Sequence, residues 1–137
     1  MTKINTIENK ISSIQRYLKI LRGYQKLTQK QILGNVDITG ATERYLYLAC
    51  QSTIDLAESF VSFKNFRKPS VMSESFYILE EENIIDKKLM GALVKMVGFR
   101  NILAHDYGKL NYDILYDVLT IGVKDIERFL KKIEKEI

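Results

Sequence analysis

The sequence predicts an all-α fold, an antiparallel-type bundle of four long helices with short helices between them. Three observations predict it. Apolar residues return at steps of three and four along most of the chain. No stretch of strand length alternates apolar and polar residues. One proline and seven glycines leave little punctuation for many short elements. The 137 residues suit one domain, residues 1–137, built on a single core.

The first helix carries Ile4, Ile7, Ile11, Ile14, Leu18 and Leu21 as a seam of the a/d type. Thr2 is placed to cap it, and the pattern fades near Gly23. Thr28 is placed to cap a short continuation, TQKQIL. GNVDITG then reads as a loop, because two glycines, an asparagine and an aspartate fall within seven residues.

The second long helix is expected to start between Thr39 and Thr42. Tyr45, Leu48, Ala49, Ser52, Leu56, Ser59, Phe60 and Phe63 recur along it at helical spacing. It ends before FRKPS, where Pro69 disfavours helix in the residue ahead of it. Ser73 or Ser75 caps a short helix through FYILEEENI, whose EEEN at residues 80–83 reads as a solvated end.

The third long helix runs from about Asp86, with Leu89, Leu93, Met96, Leu103 and Ala104 on one face and Gly108 as its stop. Asn111 caps the last helix, with Asp113 in its first turn where the dipole favours a negative charge. Leu115, Val118, Leu119, Ile126, Phe129, Leu130 and Ile133 form its stripe.

The formal charge of +4 is a mild lean towards polyanions such as RNA, better met by a solvated surface slightly rich in lysine, and the C-terminal KDIERFLKKIEKEI mixes both signs as a helix face does, not a nucleic-acid tail. Cys50 is the single cysteine, so no internal disulfide is expected, and with one histidine no thiolate–imidazole zinc site. Its apolar helical setting suits a buried thiol. No metal cluster and no cofactor motif stands out. The N-terminus lacks the apolar run of a signal peptide, and no window has the length and apolarity of a membrane span. A cytoplasmic protein with no membrane partner is the default.

RNILAHDYGKL, residues 100–110, holds the single histidine. Counting about 100° per residue from Leu89, Leu93 falls near 40°, Met96 near 340°, Leu103 near 320° and Arg100 near 20°. Arg100 therefore stands in the middle of an apolar stripe. It either snorkels near the helix end or requires a partner. His105 would point about 140° away from Arg100 in a regular helix. Two arrangements bring them together: a break at Ala104, or a second copy of the chain across a two-fold axis. A packed, structural histidine is the plain alternative.

RNILAHDY resembles the R-x4-H-x-Y motif of the HepT-like ribonuclease toxins, a branch of the HEPN superfamily. ERYLYLACQSTIDLAESF is similar to that family's Glu-Arg-led second helix with its Ile-Asp centre. SFYILEEENII and KKLMGALVKMVGFRNILAHDYGKLNYDILYDVL follow in the family's order and spacing. The likeness is clear over about residues 40–120, and the first helix matches by pattern alone. The resemblance implies a HEPN-like all-α bundle that forms a homodimer, with the motifs of two protomers lining one cleft. It implies Arg100 and His105 as catalytic residues and Asn101 as the polar residue that supports them. It also implies Tyr107 as the tyrosine to which a partner, a minimal nucleotidyltransferase antitoxin, adds AMP. Arg44, in the Glu-Arg pair, either faces the cleft or makes a surface salt bridge.

RNA carries its own nucleophile, the 2′-hydroxyl. Cleavage needs a base for that proton, an acid for the departing 5′-oxygen and positive charge for the phosphorane. One chain owns one imidazole and a dimer owns two, enough for an acid and a base without metal, and a single His105 acting alone is the other arrangement. The expected function is thus a toxin that cleaves RNA as a metal-independent endoribonuclease. The alternative is a non-catalytic protein of the same type that binds a nucleotide or a nucleotidyltransferase. A purely structural bundle would leave Arg100 unexplained.

Overall fold

The computed structural model describes residues 2–105 and 107–137, with the side chains of Thr2 and Tyr107 excepted. Its helices are α1 (Thr2–Gln25), α2 (Gln29–Leu33), α3 (Val36–Phe63), α4 (Glu74–Glu81), α5 (Lys87–His105), α6 (Tyr112–Asp117) and α7 (Val123–Glu134). A 3-10 turn, Tyr107–Lys109, follows α5, and a π-helical segment, Val118–Gly122, joins α6 to α7 as one continuous rod. No strand occurs among the described residues.

The four long rods are α1, α3, α5 and α6–α7, and their side-chain pairings run in opposite registers. Tyr17 meets Tyr45 at 6.3 Å between ring centroids, while a cavity further along brings Lys3 and Thr6 to Glu58 and Ser62, so α1 and α3 are antiparallel. Arg22 pairs with Glu127 at 3.0 Å and Gln25 with the Leu119 carbonyl at 2.9 Å, so α1 and α6–α7 are antiparallel too. The core between the rods is apolar, with Phe60, Phe76 and Phe129 fully buried. Phe76 and Phe129 meet edge to face at 5.6 Å. Cys50 is buried as expected, and burial pushes its thiol up to about 12, partly offset by the charge of Arg100. No helix among the described residues is long and apolar enough to cross a membrane.

Capping explains the helix starts. Thr28 and Gln31 form the reciprocal capping box of α2. Asn111 accepts from the Asp113 and Ile114 amides at the start of α6. Asp86 accepts from the Leu89 amide at 2.8 Å, opening α5. Thr2, expected to cap α1, has its side chain outside the described residues.

Three expectations are corrected. GNVDITG is not a loop beyond its first two residues. The Asn35 side chain accepts from the Asp37 and Ile38 amides, and α3 starts at Val36. That cap, with Asp37 in the first turn, carries the helix through Gly40. Ser73 occupies the N-cap of α4 without a capping bond, and Ser75 lies buried inside the helix. The EEEN end is solvated as expected, with Glu81, Glu82 and Asn83 exposed and Arg67 bridging Glu81 at 2.7 Å and Glu74 at 3.1 Å on the surface. The last stripe changes register: Val123 is buried and Val118 only half-buried. The π turn inserts the extra residue that causes this shift, and the Gln25 side chain satisfies the Leu119 carbonyl within it.

Candidate active site

Arg100 leaves α5 towards α3 and finds partners there, the second of the two alternatives the apolar stripe left open. It is half-buried. Its Nε–H donates to Gln51 Oε1 at 2.6 Å, and Nη1 donates to Asn101 Oδ1 at 2.9 Å. The guanidinium lies 5.4 Å from the centroid of the Tyr47 ring, with Nη2 3.5 Å from the phenol oxygen. Gln51 is itself held, because its amide nitrogen donates to Asp55 Oδ1 at 2.9 Å. That bond turns the amide oxygen towards Arg100. The remaining Nη hydrogens are left for a ligand, which is how a planar fork binds phosphate.

α3 and α5 flank a cavity of about 320 Å³. From α3 come Gly40, Glu43, Arg44 and Tyr47, and from α5 come Arg100, Leu103, Ala104 and His105. α5 runs unbroken through His105, so the break at Ala104 offered as one way to align the pair does not occur. His105 is exposed, is the last residue of α5 and opens onto the same cavity as Arg100. A short helical rise, roughly 7 Å for five residues, separates their backbone positions along the axis.

Arg44 lines this cavity and lies 5.7 Å from the Tyr47 centroid. It makes no ion pair among the described residues, so the salt-bridge expectation gives way to stacking. Glu43 accepts from the Tyr112 hydroxyl at 3.2 Å. Partial burial, then the charge of Glu43, holds the Tyr112 phenol above its ordinary range. Asn101 is exposed and bonds Arg100, so it supports the guanidinium and not the imidazole. Tyr107 opens the 3-10 turn that follows α5, and its side chain lies outside the described residues. No group of three or more His, Cys, Asp or Glu side chains is arranged to hold a metal ion among the described residues.

Sequence reading missed Gln51 and Tyr47. A signal was available, because Glu43, Tyr47, Gln51 and Asp55 recur every fourth residue and so form one polar ridge beside the apolar face of α3. All four are half-buried, and the middle two, Tyr47 and Gln51, meet Arg100 of α5.

An all-helical bundle with an arginine and the lone histidine on one cavity belongs to a known class of nucleases. The profile of the Ribonuclease HepT-like family matches residues 14–133, and the chain belongs to that family. It is 32% identical over 130 residues to the mRNA nuclease HepT of Shewanella oneidensis, covering 95% of this chain and 97% of the relative. The tRNA nuclease HepT of Aphanizomenon flos-aquae is 24% identical over 127 residues, covering 93% and 86% of the two chains. Among solved structures, the tri-AMPylated HEPN toxin of S. oneidensis in complex with MNT antitoxin superposes with a TM-score of 0.87 at 31% identity. That match covers 95% of this chain and 97% of the other.

Proposed function

We propose that this chain is the toxin of a toxin–antitoxin pair and cleaves RNA internally, without metal, at a site composed by two copies of itself. The observation that carries this reading is the guanidinium of Arg100. Gln51 and Asn101 fix it, and its open edge faces the cavity that His105 also lines.

The steps follow from those groups. An imidazole accepts the proton of the RNA 2′-hydroxyl, and that oxygen forms a bond to phosphorus. The bond from phosphorus to the 5′-oxygen breaks, and a second imidazole supplies the proton that the 5′-oxygen takes. The products are a 2′,3′-cyclic phosphate and a free 5′-hydroxyl. Arg100 donates to the non-bridging oxygens, where charge accumulates in the phosphorane. Arg44, stacked on the same tyrosine, adds positive potential along the cavity. One chain supplies one His105, so the second imidazole comes from the partner copy. Asn101 supports the arginine.

RNA incubated with the purified protein in excess EDTA tests the metal-independent mechanism. Undiminished cleavage, with cyclic phosphate and 5′-hydroxyl ends, is expected. Loss of cleavage in chelator, restored by a divalent cation, would replace it with a metal-assisted one.

Gln51→Leu should lower kcat by about ten- to a hundred-fold, because a loosened guanidinium misses the phosphorane geometry. Helicity by circular dichroism should stay intact. Unchanged kcat would show that Asn101 and Tyr47 suffice to aim Arg100.

A further inference from the structure

Away from this cavity, α5 and α6–α7 enclose two adjoining hollows of about 590 and about 600 Å³ that share Lys88, Ala92 and Asp125. Lys87, Lys88 and Lys95 line them from α5. Arg128, Lys131, Lys132 and Lys135 line them from the end of the last rod. The acids there are Asp86 and Asp125. Among the described residues, then, seven of the chain's 21 Lys and Arg face two of its 17 Asp and Glu. The rest of the chain is left with 14 basic and 15 acidic residues, so this groove holds the whole of its positive excess.

Both acids are already committed. Asp86 caps α5 through the Leu89 amide, and Asp125 pairs with Arg128 at 2.8 Å. The other two acids of α7 turn elsewhere: Glu127 bonds Arg22 on α1, and Glu134 lies two helical turns on, along the same side of the helix. Lys88, Lys95, Lys131, Lys132 and Lys135 are exposed and form no ion pair among the described residues.

We propose that this groove is a backbone track for single-stranded RNA, distinct from the cavity that holds the scissile phosphate. The inference rests on the ribonuclease reading for its choice of polyanion. Three features favour a nucleic-acid strand over a flat anionic surface. The site is concave. Its cations gather at one end, where Arg128, Lys131, Lys132 and Lys135 on the end of the last rod face Lys88, and Lys95 stands about two turns further along α5. The groove also runs along α5 from Lys88 to Phe99 and Ile114, roughly 16 Å, long enough for several phosphates. The floor is apolar, with Leu89, Met96 and Phe99, and offers no donors or acceptors to read bases. The track therefore holds phosphates without regard to sequence.

The test is fluorescence anisotropy with a labelled 2′-O-methyl polyuridine, which lacks the nucleophile and so reports binding whether or not the protein cleaves. The triple variant Lys131→Gln, Lys132→Gln, Lys135→Gln should raise Kd about ten-fold and reduce the slope of log K against log salt by roughly two, for three lost phosphate contacts. The pair Lys88→Gln, Lys95→Gln, on the opposite wall, should shift both in the same direction. Equal Kd and slope in folded wild type and variants would overturn the track. So would a change in sedimentation showing that the variants dissociate a dimer, since the groove would then be covered by a second copy. Weakened binding with no RNA cleavage by the wild type would sink the ribonuclease reading and leave the track standing. Cleavage with unaltered binding would do the reverse.

Discussion

Replacing His105 by alanine is expected to lower RNA cleavage by at least about a thousand-fold, because removing a group that acts as both acid and base forfeits general catalysis of both proton transfers. The loss should come without a change in helicity, since His105 is exposed and ends its helix. Mixed populations carry more information. Wild type and His105→Ala chains, unfolded together and refolded at equal amounts, form dimers of which about a quarter have two imidazoles. If one imidazole is the base and its partner the acid, activity falls to about a quarter of the undiluted value. If each cavity works alone, it falls to about a half. A linear dependence on the wild-type fraction would therefore confine the chemistry to one protomer. Full activity in the pure variant would remove His105 from the mechanism altogether.

The fold was legible because helices advertise their buried faces. Ile7, Ile11, Ile14, Leu18 and Leu21 are all buried, as the seam on α1 requires. The start of α3 was not legible, because glycine and aspartate near a helix N-terminus look like a turn until Asn35 is known to cap it. The π segment was hidden for a related reason. Its one-residue insertion is specified by packing against α1, including the Gln25 side chain, and not by any local composition. At the site, an arginine in an apolar stripe left two readings, snorkelling or a partner, and the partner that decides between them is on another helix. Gln51 sits 49 residues from Arg100 in sequence, so no reading of α5 alone could have supplied it. The charged groove was invisible for the same cause. The mixed signs of KDIERFLKKIEKEI separate only when the helix turns its lysines to α5 and Glu127 to α1.

Tyr107 is expected to be the switch. With a minimal nucleotidyltransferase partner and ATP, its phenol oxygen attacks the α-phosphate of ATP, a phosphodiester forms and pyrophosphate leaves. The product carries an adenosine and an added negative charge, two residues beyond His105 in the chain. Negative charge carried to Arg100 and Arg44 would compete with the RNA phosphate for the same donors, and the adenosine would fill space that a substrate needs. Cleavage should fall about a hundred-fold or more, as the loss of a preorganised phosphate clamp implies. The mass of the chain should rise by one or more AMP units, as in the tri-AMPylated relative. Tyr107→Phe should cut RNA and keep its mass in the presence of the same partner. A variant that is still modified would move the acceptor to another side chain. One that is silenced without any mass change would make the partner an inhibitor by contact, because occlusion by a bound protein needs no covalent bond and a phenylalanine does not prevent it.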